Sequence, residues 1–219
     1  MKSKILINGL VVACALMFGG CGGYIQPQYV HAHYITKIDT VERPESASKQ
    51  YGTYQTIEMN ENNETKFVFE DKLLKIKFFI GSDRIYFDLE NKTDYSIKLI
   101  WDDMIFVNAK NESSGVIHTG TKLINKNESQ KPTPIIRKGN HSDIIIPSNN
   151  IYYSDYWRNW EYEGIFKNIN YEKSNPNFES INMANQYKDK KIKLLMPIEI
   201  EGIKNEYIFT FKVDNVIFK

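Results

Sequence analysis

Two runs of strict alternation limit what this chain can fold into. Leu74, Ile76, Phe78 and Ile80 alternate with Lys75, Lys77 and Phe79. Gly81-Ser82-Asp83-Arg84 then turns the chain, and Ile85, Phe87 and Leu89 alternate with Tyr86, Asp88 and Glu90. Near the end, Ile192, Leu194, Met196, Ile198 and Ile200 share one face, Gly202-Ile203-Lys204-Asn205 turns, and Tyr207, Phe209, Phe211 and Val213 share the returning face. A period of two sends successive side chains to opposite faces of a strand, so each run has one apolar face to bury. A helix would need apolar residues at i, i+3 and i+4, which these stretches do not keep up. Both runs read as β-hairpins.

The chain between them fits the same class. After a turn at Asn91-Lys92-Thr93-Asp94, Ile97, Leu99 and Trp101 resume the alternation, and Met104-Ile105-Phe106-Val107 continues it past a kink at Asp102-Asp103. Val116 to Thr119 is a short strand, and Asp143 to Pro147 is another. Pro132-Thr133-Pro134 cannot lie in a central strand, because proline donates no ladder hydrogen bond. Residues 108–141 therefore read as a long exposed loop bracketed by edge strands. Residues 168–190 are polar, with one helical turn around Glu179 to Tyr187. Strands every eight to twelve residues or so, and no long helix, argue for an antiparallel sandwich. The 14 Tyr and 12 Phe support this, since aromatics suit half-buried pleated surfaces.

The stretch FDLENKTDYSIKLIWDDMIFV, with GVIHTG and IIIPSNNIYY, resembles bacterial surface lipoproteins that carry an immunoglobulin-like domain. That resemblance covers roughly residues 65–155 and the final hairpin. It implies an immunoglobulin-like β-sandwich at a cell surface and brings no catalytic residues.

The first 21 residues point to the same compartment. Lys2 and Lys4 precede an apolar run from Leu10 to Phe18, followed by Gly19-Gly20-Cys21-Gly22-Gly23. A cationic head, an apolar core and small residues before a cut form a secretory signal. Cysteine after two glycines resembles a bacterial lipobox, with Phe18 where that pattern usually has leucine. As a spanning helix the segment is interrupted at Asn8-Gly9 and falls short of the roughly 20 apolar residues a crossing needs. The expected organisation is a cleaved signal over residues 1–20, lipidated Cys21 with a flexible tether over 21–62, in which Tyr29 to Ile35 could form an early strand, and a β-sandwich domain over 63–219. Two or more acyl chains hold a protein stably where one does so only marginally. Gly22 after the cysteine, in place of Asp, resembles an outer-membrane address in a Gram-negative host.

Removing Lys2 and Lys4 takes the net charge from +1 to −1, so there is no basic excess to attract nucleic acid. The only cysteines, Cys14 and Cys21, lie at or before the cut. The mature domain then has no disulfide and depends on its core.

Few residue groups suggest chemistry. His31-x-His33 places two imidazoles on one strand face, but a metal site needs a third ligand. His118 and His141 lie near turns and read as hydrogen-bonded or surface histidines. Asp102 and Asp103 would point to opposite faces of a strand. Neither a Gly-x-Ser-x-Gly elbow nor a glycine-rich phosphate loop is present. The expectation is a non-enzymatic protein with no cofactor and no metal. Of five Asn-x-Ser/Thr triplets, at Asn63, Asn91, Asn111, Asn127 and Asn140, only Asn63 has an acid two residues earlier, as some bacterial glycosylation acceptors do.

One stretch suggests binding. Tyr152, Tyr153, Tyr156, Trp157, Trp160 and Tyr162 crowd together, with Arg158, Glu161 and Glu163 among them. Tyr and Trp give large stiff contact surfaces with a polar edge. The rings could stack on a glycan or peptide, or half of them could face the core. Two functional readings follow. One is a membrane-anchored envelope lipoprotein with a structural or protein-interaction role; the other is a surface module that binds a glycan or peptide through 152–166.

Overall fold

The computed structural model describes residues 27–44, 52–61 and 64–219. The proposed lipidation site Cys21 and the glycosylation candidate Asn63 lie outside them. In chain order the first strands are β1 (Tyr29–Glu42), β2 (Gln55–Glu61), β3 (Glu64–Glu70), β4 (Leu74–Ile80) and β5 (Ile85–Asn91). Then come β6 (Ile97–Leu99), β7 (Ile105–Val107), β8 (Ser113–Ser114), β9 (Val116–Ile117), β10 (Thr133–Ile135) and β11 (Asn140–Pro147). The chain closes with β12 (Ile151–Ser154), β13 (Asn159–Tyr162), β14 (Asn170–Glu172), helix α1 (Phe178–Asn185), β15 (Lys191–Ile200) and β16 (Ile203–Phe218). One sheet has the order β10-β6-β15-β16-β1-β14, with β7 also on β15 and β8 on β7. The facing sheet runs β2-β3-β4-β5-β11-β9, and β12-β13 form a separate ribbon. Every pairing is antiparallel.

The two alternating runs supply the core as expected. Leu74, Ile76 and Phe78 on β4 and Leu194, Met196 and Ile198 on β15 are completely buried. A seam of rings joins the sheets: Phe78 meets Phe209 at 4.8 Å and Phe211 at 5.4 Å, and Phe69 meets Phe209 at 5.3 Å. Each fully buried side chain of this size contributes about 1.5–3 kcal/mol over its exposed state. The final hairpin turns earlier than the sequence suggests. Ile200 pairs with Ile203, and Glu201 and Gly202 carry φ of 51° and 79°, the left-handed pair a two-residue turn requires. Asn205, expected in the turn, sits opposite Ile198 and donates from Nδ2 to the Ile203 carbonyl at 3.0 Å.

Three features depart from simple alternation. After β5 the chain leaves its sheet and enters the other at β6. Buried Asn91 holds that corner: its Nδ2 donates to the carbonyls of Tyr95, Ile135 and Ile136, and its Oδ1 accepts from the Thr93 amide and hydroxyl. Between β6 and β7 the kink is a single 3-10 turn, Trp101–Asp103. Asp102 and Asp103 therefore do not occupy opposite faces of a strand; Asp102 accepts from Ser129 and Gln130, and Asp103 pairs with Lys204 at 3.1 Å.

The third departure corrects the tether. Residues 29–42, placed in the tether over 21–62, form the 14-residue strand β1 between β16 and β14, and 55–61 form the edge strand β2. Register shifts at Ile35/Thr36 and Ile38/Thr40 break the alternation of β1, because a bulge moves later side chains to the other face. Tyr34 and Val41 still reach the core. Past β1, Arg43 pairs with Asp71 at 3.0 Å, and both side chains are essentially buried. Arg43 also donates to the Gly52 carbonyl at 2.7 Å.

Candidate functional site

The β12-β13 ribbon leaves the sandwich at a rigid root. Its last sheet pair is Ile151–Tyr162, and one rung further in the Glu163 amide donates to the Asn150 carbonyl at 2.8 Å. Asn150 Nδ2 donates to the carbonyls of Gly164 at 2.9 Å and Glu163 at 3.3 Å. Lys126 Nζ donates to the carbonyls of Ser148 and Ile151. The root also leans on the β4–β5 turn: the Arg84 guanidinium lies 5.0 Å from the Tyr162 ring centre, and the Phe166 amide donates to the Ser82 carbonyl at 3.0 Å.

Packing at the root, rather than alternation, sorts the ribbon's aromatics. Trp160 and Tyr162 are half-buried and pack on a small cluster of Ile117, Ile146 and Ile151. Tyr153 meets Trp160 edge-on at 5.8 Å. Tyr152, Tyr153, Tyr156 and Trp157 are exposed, Tyr156 to 83% and Trp157 to 66%. The two tip rings contact each other edge to face at 4.6 Å. In the tip turn Ser154 Oγ accepts from the Trp157 amide at 3.2 Å, and Arg158 takes a left-handed φ of 51°. Partial loss of hydration, with Glu161 and Glu163 nearby, holds the Tyr152 phenol above its ordinary value. The six expected residues thus divide: Trp160 and Tyr162 support the ribbon, and the others face outward.

A cleft of about 640 Å³ opens at the ribbon root. Asn149, Asn150, Glu163 and Gly164 form one wall, the turn after β7 a second, and the end of α1 with the residues after it a third. Each wall is fixed locally. Asn108 Oδ1 accepts from the amides of Lys110 and Glu112, which bends the second wall. Asn177 caps α1 by accepting from the Ser180 amide at 3.1 Å. Tyr187, past the helix, packs edge-on against Tyr34 at 5.2 Å and Phe166 at 5.6 Å. Burial, with Tyr187 beside it, pushes the Tyr34 phenol up to about 12. It stays protonated and donates to the Lys167 carbonyl at 2.7 Å. No sequence motif marks this cleft, since its walls come from distant parts of the chain.

The histidines separate into two groups. His31 and His33 are exposed on β1. Among the described residues no three His, Cys, Asp or Glu side chains converge as a metal site. His118 and His141 meet on one carboxylate: Asp143 Oδ2 lies 3.0 Å from His118 Nδ1 and 3.2 Å from His141 Nε2. Asp143 Oδ1 accepts from the Thr119 and Ile144 amides. Burial works against the charge, but the bonds from His118, Thr119 and Ile144 together outweigh it and hold this carboxyl well below the usual range. Trp101 lies flat on the His118 ring at 4.0 Å and donates from Nε1 to Thr133 at 2.8 Å. This network ties the loop after β9, the kink after β6 and strands β10 and β11 together. Asp143 was not marked in the sequence, because its partners lie two and 25 residues away with no motif between them.

No protein-family model, curated protein or solved structure matches the chain. No helix among the described residues is long and apolar enough to cross a membrane.

Proposed function

We propose that the chain is a lipid-anchored, non-enzymatic envelope protein whose sandwich holds an aromatic ribbon out to a partner, a surface glycan or another envelope protein. Cys21 is the acylated residue, and in a Gram-negative host the site of attachment is the outer membrane. The observation that carries the binding role is the pair of exposed rings, Tyr156 and Trp157, on a ribbon whose root is pinned by hydrogen bonds. Exposed aromatic side chains on a stiff support provide contact area at low entropic cost. The resemblance of 65–155 to surface lipoproteins, and the lipobox-like Gly19-Gly20-Cys21, support the location.

The test replaces Tyr156 and Trp157 by alanine in the full-length protein and measures glycan-array binding, cross-linked envelope partners and thermal melting. The expected outcome is an unchanged melt with binding lost. Unchanged binding refutes the role of the ribbon. Mass spectrometry of the mature N-terminus tests the anchor, with a diacylglyceryl-modified Cys21 as the expected species and an intact, unmodified leader as the contrary result.

A further inference from the structure

We infer that the cleft at the ribbon root is a binding site for an acidic saccharide, held by its uronate-type carboxylates and hydroxyls. This deepens the proposed function but stands on the cleft and not on the ribbon tip. At about 640 Å³ the cleft is within the range of small-ligand sites. Three lysines line it: Lys110, Lys167 and Lys190. Among the described residues none of the three has a carboxylate partner; Lys167 Nζ has only the Met183 sulfur at 3.8 Å.

Several lysines elsewhere are matched with acids: Lys37 with Asp214, Lys191 with Asp39, Lys212 with Asp189, Lys92 with Glu70 and Lys98 with Glu199. Two acids also line the cleft, and one of them, Glu112, is occupied by Asn108 Nδ2 at 2.7 Å. The second is Glu163, and three ammonium groups against two carboxylates leave the lining net positive toward an incoming anion.

The rest of the lining selects the ligand class. Asn149, Gln186 and Ser114 offer amide and hydroxyl groups, which match the paired donors and acceptors of vicinal sugar hydroxyls. Half-buried Ala109, Met183 and Tyr187 give the site an apolar component for sugar C–H faces. A peptide bound by strand addition needs a free strand edge, whereas these walls are mostly turns and the end of a helix. A neutral sugar would leave the three ammonium groups unused. Because Asn150 and Glu163 belong both to the cleft wall and to the ribbon root, a chain of several sugars seated here has a path toward the aromatic rings.

The test titrates full-length protein in detergent with hexagalacturonate, maltohexaose and hexaglutamate by calorimetry at low and moderate salt. Hexagalacturonate is expected to bind, weakening as salt rises, with the other two at least about tenfold weaker. Each charge-assisted contact to a carboxylate is worth about tenfold or more, so Lys167→Glu with Lys190→Glu should abolish binding. The milder pair Lys167→Gln with Lys190→Gln should weaken it by about tenfold or more, and serves if the reversal disturbs folding. Equal binding of maltohexaose overturns the acidic specificity, and equal binding of hexaglutamate overturns the saccharide class. Binding that survives both lysine pairs, or is absent in the unmutated protein, overturns the site. Loss with Trp157→Ala but not with the lysine variants assigns the ligand to the ribbon alone and defeats this inference. Loss with the lysine variants but not with Trp157→Ala upholds the cleft and defeats the ribbon reading.

Discussion

Replacing Arg43 by methionine leaves Asp71 as an unpaired carboxylate inside the protein. The Arg43 and Asp71 side chains are only 3% and 0% exposed, so water cannot take over the lost partner. Asp71 would keep three neighbours: the amides of Leu73 at 2.8 Å and Leu74 at 2.9 Å, and the Tyr207 hydroxyl at 3.5 Å. Those bonds do not neutralise its charge. Breaking one side of a buried ion pair costs about 3–5 kcal/mol. The low end applies here, because Arg43 Nε already lacks a hydrogen-bond partner and the pair is not fully satisfied. Methionine keeps an apolar stem near Tyr54, over whose ring the guanidinium lies at 4.9 Å. A loss of about 3 kcal/mol in a chain of this size lowers the melting temperature by about 6–12 °C. Urea unfolding followed by tryptophan fluorescence at neutral pH measures the change. Asp71→Asn should cost a similar amount, and the double variant clearly less than the sum of the two singles. A single-variant cost under about 1 kcal/mol, or strict additivity, would refute the argument, because surface-type pairs are worth only that much.

Two further predictions concern the supports of the site. The Asp143 carboxyl titrates below its unfolded value, so its contribution to stability is complete above an unfolded pKa of about 4 and is lost as pH falls below it. Unfolding free energy measured from pH 6 down to pH 3 should therefore fall more steeply in the unmutated protein than in Asp143→Asn; equal slopes would contradict the network around His118 and His141. At Gly164 an added Cβ would lie 2.5 Å from the Ser82 carbonyl oxygen and 2.8 Å from that of Phe166, both backbone atoms that cannot rotate away. Gly164→Ala should destabilise by about 1–3 kcal/mol and shift the Trp160 indole resonance as the ribbon root moves; an unchanged melt and spectrum would show that the root is looser than its contacts indicate.

What could be read from the sequence was whatever repeats with a short period. β4, β5, β15 and β16 show their alternation because each buries one unbroken face. Pro134 lies in β10, at the edge of its sheet as expected, although Pro197 sits within the central strand β15, so proline alone does not decide the place of a strand. Of β1 only Tyr29 to Ile35 could be read as a strand, because two register shifts beyond Ile35 scramble the period of the rest. The exit of β6 into the opposite sheet depends on one buried asparagine whose acceptors lie up to 45 residues away. Local propensity carries no trace of such a contact. The ribbon aromatics could be found because they are contiguous in sequence. Which of them face outward depended on the packing of Ile117 and Ile146, which the local pattern does not contain. The cleft was invisible for a related reason: lysines and asparagines scattered from Asn108 to Lys190 look like ordinary surface until the fold collects them.

The two kinds of aromatic residue are distributed in a way that bears on function. Phe67, Phe69, Phe78, Phe87, Phe106, Phe166, Phe209 and Phe211 are buried, whereas among the described tyrosines only Tyr34 and Tyr207 are. A phenol must find a hydrogen-bond partner to be buried without loss, and both of these do. Phenylalanine has no such requirement and can fill the seam between the sheets. Solvation therefore accounts for tyrosine on the surface in general. It does not account for Trp157, a large ring with 66% of its surface in water while Trp101 and Trp160 are packed. The β12-β13 pairing and the clamp at Asn150 hold the ribbon without that ring. Its removal should therefore cost little stability, and a clearly lowered melting temperature for Trp157→Ala would show that the ring does structural work the contacts do not reveal.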